Sequence, residues 1–234
     1  MVLDWLFPPA CEGCGERLGV GRTDPICAPC GRDRWRIGGA VCSRCGYPFA
    51  ADATTGAGDA GLCGACLRRP PPFLWHRSGL YHEGLAGALI AALKYRRRRD
   101  LATRLAAWAW GEWPRPPAAD VLLSVPLGAG RLRERGFNQA VLLARWASRR
   151  WAVPLVTDGV ERLPGPPQVG LSRSARLANA QGRFRVISPD RIAGRRVVLV
   201  DDVYTTGATL AALSRALQRA GAEEVRAITL ARRM

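Results

Sequence analysis

The sequence predicts an α/β protein in which a parallel sheet carries helices on both faces, with a small cysteine-rich module in front of it. Three observations predict this. The C-terminal third alternates short apolar runs with helical patterns. All eight cysteines fall between Cys11 and Cys66, so the following 168 residues contain none. A length of 234 residues with 48% hydrophobic content suits one core of ordinary size plus a small extra unit.

The cysteines form four CxxC pairs: Cys11/Cys14, Cys27/Cys30, Cys42/Cys45 and Cys63/Cys66. Two thiolates from one tight turn grip the same tetrahedral zinc ion, and a second pair closes the site. Gly15, Gly31 and Gly46 follow pairs and suit the sharp turns required. Thioredoxin-like redox chemistry would need a βαβ context that this stretch lacks, and iron–sulfur spacing differs. Two Zn2+ ions are therefore expected. Sequential pairing groups Cys11, Cys14, Cys27 and Cys30, then Cys42, Cys45, Cys63 and Cys66; a cross-braced pairing stays open at this point. Four protein ligands leave no open coordination position, so the metal is read as structural.

Gly56-Ala-Gly58 and Arg69-Pro-Pro-Pro72 punctuate the chain, which predicts a boundary at residue 72 between a module over 1–72 and a domain over 73–234. Leu85, Leu89, Ile90 and Leu93, then Leu101, Leu105 and Trp108, recur at helical spacing on either side of the basic run Lys94–Arg99. Val121–Val125 reads as a strand ended by Pro126, Phe137–Trp151 as a helix, and Val153–Val156 as a strand. Val197–Val200 is an uninterrupted apolar run of the kind found in a doubly covered parallel sheet. Leu210–Ala220 reads as a helix ended by Gly221, and Val225–Leu230 as a last strand.

The formal charge of +16 is uneven. Residues 1–75 hold 8 Arg against 7 acids, which leaves 27 basic against 12 acidic residues in 76–234. That surplus suits a polyanionic partner through counterion release. Its bland rival is compositional bias, because every basic residue except Lys94 is Arg. The first ten residues lack the basic start and apolar run of an export signal, and no stretch approaches about 18 uncharged apolar residues. A cytoplasmic protein without membrane insertion is expected, where paired cysteines suit metal rather than disulfides.

The chemistry is concentrated where Val197-Val-Leu-Val200 runs into Asp201-Asp202 and then Thr205-Thr-Gly-Ala-Thr209. A parallel strand delivers its C-terminal end to the crevice where α/β folds bind ligands, and adjacent carboxylates there can accept hydrogen bonds from a ribose diol. The turn opens a helix, so backbone N–H groups, the helix dipole and Thr hydroxyls converge on a phosphate, with Gly207 permitting close approach. An ordinary capped turn would account for one Asp or one Thr, not the set.

This stretch resembles the phosphoribosyl-pyrophosphate (PRPP) signature of type I phosphoribosyltransferases. The resemblance implies a type I phosphoribosyltransferase-like sheet behind a zinc ribbon. It gives Asp201 and Asp202 the ribose hydroxyls and Thr205, Thr206, Gly207, Ala208 and Thr209 the 5′-phosphate. Mg2+ would bridge pyrophosphate and ribose oxygens, and the pyrophosphate loop would be Val125, Pro126 and Leu127 within Ser124–Gly128.

Leu93-Lys-Tyr95, Val125-Pro-Leu127 with Arg131 and Arg135-Gly-Phe-Asn-Gln139, and Arg162, Gln168, Leu171-Ser-Arg173, Arg176 and Asn179 look together with the cysteine module like the ComF family of competence proteins. The resemblance implies a role in moving single-stranded DNA inward during natural transformation, and a DNA-import or helicase protein as partner. One departure stands out: that family often has Gly shortly after Leu-Lys-Tyr, where this chain has Arg96–Arg99. The Arg162–Asn179 stretch resembles the hood that closes over substrates in active transferases, placing Arg162 and Arg176 as catalytic neutralisers of pyrophosphate; their rival reading is solvated loop charge. Two functions follow, a catalytic transferase of nucleotide metabolism or a DNA-binding protein that kept the fold, with a PRPP-sensing regulator as a weaker third.

Overall fold

The structure, a computed structural model, describes residues 9–19, 24–31, 35–49, 61–116, 118–164 and 182–234. The element order after two short helices in the cysteine module, α1 (Ala28–Gly31) and α2 (Gly64–Arg68), is β1 (His76–Tyr81), α3 (Gly84–Tyr95), α4 (Leu101–Trp110), β2 (Val121–Ser124), α5 (Ala129–Arg135) and α6 (Gln139–Trp151). Then come β3 (Leu155–Val156), β4 (Val160–Arg162), β5 (Phe184–Val186), β6 (Arg196–Tyr204), α7 (Ala208–Arg219) and β7 (Glu224–Arg232). The main sheet has the order β1-β7-β6-β2-β3, and every pair in it is parallel. A small antiparallel pair, β4 and β5, stands apart.

The strand period of two splits the apolar run of β6 between two cores. Val198 and Val200 join Leu122, Ile228 and Leu230 against α3, α4 and α6. Val197 and Leu199 join Val121, Leu123 and Val225 against α7. All four β6 residues are fully buried, so this strand is covered on both faces, as its lack of alternation predicts. Removing the Leu199 side chain leaves a cavity and costs about 2–5 kcal/mol.

Several expected bounds shift. The apolar stretch Val197–Val200 continues as strand through Asp201 and Asp202 to Tyr204, because β7 pairs with it as far as Arg232. The helix expected from Phe137 begins at Gln139, since the Asn138 side chain caps it by accepting from the Ala140 N–H. The helix after the Thr-Gly turn starts at Ala208, two residues earlier than its apolar pattern.

The tryptophans of the helical layer pack together. Trp110 is fully buried and donates to the Thr229 carbonyl at 3.1 Å, with Trp113, Trp146 and Trp151 packed on it at centroid distances of 6.3–6.4 Å. These rings pack α4 against α6, with Trp113 and Trp146 only partly buried.

Candidate anion and sugar site

The eight cysteines gather as two groups of four, Cys11, Cys14, Cys27 and Cys30, and Cys42, Cys45, Cys63 and Cys66, with the sulfurs of each group within 4.8 Å of one another. This is the sequential arrangement. Gly15 and Gly46 take φ of 76° and 67°, as the knuckle turns require, whereas Gly31 closes α1 without a positive φ and packs on Ile26. Backbone N–H groups of Gly13 and Cys27 point at Cys11 Sγ, and those of Cys45 and Cys63 at Cys42 Sγ. Burial opposes ionisation of Cys11 and Cys42, yet these backbone dipoles bring each thiol down to about 6. Two low thiols held by fixed donors are what a Zn2+ ion needs for early capture.

The first cluster belongs to the main core, where Cys11, Leu18, Ile26 and Cys27 pack with Leu89, Ile90 and Leu93. The second stands in its own small cluster with Phe49. Its contact with the sheet is polar. The Cys45 carbonyl accepts from Arg232 Nη1 at 2.7 Å and from His76 Nδ1 at 2.9 Å. Burial pushes His76 down to about 3, so the ring is neutral, and with Nδ1 donating, Nε2 accepts from the Thr229 hydroxyl at 3.0 Å. Tyr204 stacks on His76 at 4.2 Å, and its hydroxyl lies against Gly207.

Gly207 has φ of 74°, and a Cβ there would collide with the Tyr204 hydroxyl. Only glycine fits this turn. Asp201 and the residues from Val203 to Leu210 line a small cavity of about 70 Å³, open to the first backbone N–H groups of α7.

The acidic pair is divided by the strand period. Asp202 is buried and faces the α3 and α6 side, where Oδ1 meets Lys94 Nζ at 2.8 Å and Oδ2 accepts from Gln139 Nε2. Asp201 lines the cavity, and its Oδ1 accepts the Asp202 N–H at 2.9 Å. Desolvation, and then the charge of Asp202, raise the Asp201 carboxyl to about 7. The sign of the pH effect is set by the raised value: the folded state gains relative stability below the ordinary carboxylate range and loses it as pH rises through about 7. Asp201→Asn is therefore expected to melt a few degrees above the wild type at pH 8, with the gap shrinking by pH 5; thermal unfolding at both pH values checks this.

The turn after β2 is the expected pyrophosphate loop. Val125 N–H bonds to the Val200 carbonyl at 3.0 Å and its own carbonyl accepts from Asn138 Nδ2 at 3.0 Å, fixing Pro126–Gly128 beside β6. Arg162 at the end of β4 reaches this loop, its Cδ lying 3.8 Å from where a Gly128 Cβ would stand. Burial and the positive charges of Arg131 and Arg183 disfavour the Arg162 cation, while Asp201 favours it. The guanidinium stays charged, so Arg162 beside this loop is a donor suited to an anion. Arg176, with Gln168, Leu171, Arg173 and Asn179, lies outside the described residues.

The structure thus puts Asp201 and Thr205–Thr209 on one cavity and Arg162 against the loop that follows Val125–Leu127, while Asp202 turns to the opposite face of the strand. It adds Lys94 and Gln139, whose motifs carried no role in the sequence, and Arg131 and Arg183. The basic run after Lys94 has internal partners: Arg97 Nη2 donates to the Glu134 carbonyl, Arg98 pairs with Glu12 and Asp100, and Arg99 lies over Phe137. Arg97 takes φ of 55°, the left-handed backbone that a glycine would adopt more readily.

Residues 2–67 match the double zinc ribbon domain and residues 139–234 the phosphoribosyl transferase domain. Fold, cysteine clusters and phosphate-loop geometry define the class, a zinc-ribbon protein built on a phosphoribosyltransferase-like sheet. The DNA utilization protein YhgH of Escherichia coli O6:H1 is 33% identical over 96% of this chain and 97% of its own length. Competence protein F of Haemophilus influenzae is 36% identical over 95% of this chain and 90% of its own length. Competence protein ComFC of Bacillus subtilis is 28% identical over 89% and 85%. The chain belongs to the ComF family of competence proteins. No helix among the described residues is long and apolar enough to cross a membrane.

Proposed function

We propose that the protein binds PRPP with Mg2+ at the C-terminal end of β6 and uses that site, as a phosphoribosyltransferase-type protein, in the handling of imported single-stranded DNA. The observation that carries the reading is that Asp201 and the Thr205–Thr209 turn line one cavity at the C-terminal end of β6, with Arg162 against the loop after the neighbouring strand β2. Thr205–Thr209 and the α7 N–H groups would take the 5′-phosphate, Asp201 the ribose diol, and Val125–Leu127 with Arg162 the pyrophosphate. Mg2+ bound with PRPP would supply charge neutralisation of the departing pyrophosphate. The fixed arginines and Asp201 would then favour the positively charged sugar and the leaving group over the ground state. Arg176 would join Arg162 in that task.

Asp202 has a different part in this reading. It faces the α3 and α6 side of the sheet, where it holds Lys94 and Gln139, so it would position these groups while Asp201 meets the sugar.

The names of the relatives support a place in competence and DNA use, and the basic excess in residues 76–234 suits a nucleic-acid backbone. A cytoplasmic location, a DNA-import or helicase partner, the occupancy of both cysteine clusters by Zn2+ and a division of the chain at residue 72 belong to the same reading.

Gly207→Val tests the phosphate loop. Mg2+·PRPP is expected to raise the melting temperature of the wild type and to leave the variant unmoved, with affinity lowered by at least about tenfold. An equal shift in both proteins would place PRPP elsewhere.

A further inference from the structure

A second and larger cleft, about 450 Å³, opens where the Cys42–Cys66 cluster, Pro70–Pro72, α7 and the residues after β7 meet. It shares Tyr204–Gly207 with the small cavity, but Asp201 does not line it. Its volume lies in the range of small-molecule sites.

Three features give its ligand chemistry. Arg68, Arg69, Arg215, Arg232 and Arg233 line it with no Asp or Glu, and Cys45, Cys63 and Cys66 of the second cluster are the other ionisable side chains in its wall besides Tyr47 and Tyr204. Among the described residues, no ion pair joins Arg68, Arg69 or Arg215 to a carboxylate. Arg232 is 7% exposed, lies between the Tyr47 and Tyr204 rings at 5.2 and 4.5 Å, and has a buried Nε without a hydrogen-bond partner. Its Nη1 is already held by the Cys45 carbonyl, so Arg232 fixes the wall of the cleft and leaves an anion to Arg68, Arg69 and Arg215. The rest of the wall is apolar: Tyr47 is 41% exposed there, beside the prolines and Met234. Tyrosine and proline faces receive flat rings.

We propose that this cleft binds a nucleoside monophosphate, with the phosphate held by the Arg68, Arg69 and Arg215 group and the base laid against Tyr47 and the Pro70–Pro72 turn. The arginines favour an anionic ligand over a cationic one, and their combination with an apolar wall favours a nucleotide over inorganic phosphate. The ligand is either a free mononucleotide or one unit of a single-stranded DNA. The cleft shares the Tyr204–Gly207 wall with the first site and differs from it in lacking Asp201.

The test is calorimetric titration of thymidine 5′-monophosphate into the zinc-loaded full chain, the Arg68→Ala/Arg215→Ala variant and Asp201→Asn. Saturable binding is expected in the wild type and in Asp201→Asn, weakened by at least about tenfold in the arginine variant. Both arginines have solvent-exposed surface, and an unchanged melting temperature confirms that the variant is folded. A loss confined to Asp201→Asn would put the nucleotide in the first site and overturn the proposal. Equal binding by all three proteins, or none at roughly millimolar nucleotide, would also overturn it. A short oligothymidylate that displaces the mononucleotide from the wild type identifies the ligand as a unit of DNA; failure to displace it identifies a free nucleotide.

Discussion

Removing zinc from the first cysteine cluster is expected to unfold far more of the protein than removing it from the second. A structural zinc contributes about 10–16 kcal/mol of apparent binding free energy in small domains, and that energy is folding energy. Cys11 and Cys27 share a core with α3 and α4, so Cys11→Ser/Cys14→Ser withdraws the surface that covers Leu89, Ile90 and Leu93. Cys42, Cys45 and Cys66 pack in a separate cluster, so Cys63→Ser/Cys66→Ser leaves that core intact. Dye-detected zinc release and thermal unfolding by circular dichroism separate the cases. Each variant should retain one of the two metal ions expected from the two clusters. The first should lose most of its cooperative transition and the second should retain it. Equal damage by both pairs would contradict the packing described.

The second large effect is at Asp202. Asp202→Asn is expected to cost about 3–5 kcal/mol, the range for breaking a buried ion pair by removing one partner. Lys94 would keep its charge beneath α3 and α6 without the carboxylate that now sits at 2.8 Å. Because Asp201→Asn is expected to stabilise the protein at pH 8, two neighbouring acids of identical chemistry should give opposite signs. Denaturant unfolding of both variants measures this directly. Similar destabilisation by both would mean that the strand does not divide their roles. A double variant with Lys94→Met should recover part of the Asp202→Asn loss, since it removes the stranded charge.

Much of this division lay beyond the sequence for a physical reason. Val197–Val200, the acidic pair and the Thr-Gly turn are contiguous, so strand, crevice and phosphate loop could be read from local pattern. The partners of Asp202 arrive from positions 94 and 139, and only tertiary packing brings them there. The ComF-like motifs containing Lys94 and Gln139 flagged those positions without disclosing that they meet on one carboxylate. Strand β1 escaped notice because His76 and Ser78 read as polar, whereas both are buried and hydrogen-bonded to Thr229 on β7. Helix α5 was hidden by its charges: only Arg135 of its seven residues is buried, with its guanidinium over the Tyr95 ring at 5.1 Å. Three of the four side chains in the run Arg96–Arg99, which stands where the family often has Gly, are held by Glu134, Gly136, Phe137, Glu12 and Asp100. The charge that remains for a polyanion therefore lies elsewhere, including the arginines of the two clefts.

The central claim, a PRPP site built on Asp201 and the Thr205–Thr209 turn, is tested most directly by calorimetric titration of Mg2+·PRPP into the zinc-loaded wild type and Asp201→Asn. The account predicts saturable one-site binding to the wild type and an affinity lower by at least about tenfold in the variant, with the variant folded and at least as stable at pH 8. Equal binding by the two proteins, or no binding to folded wild type, would contradict it.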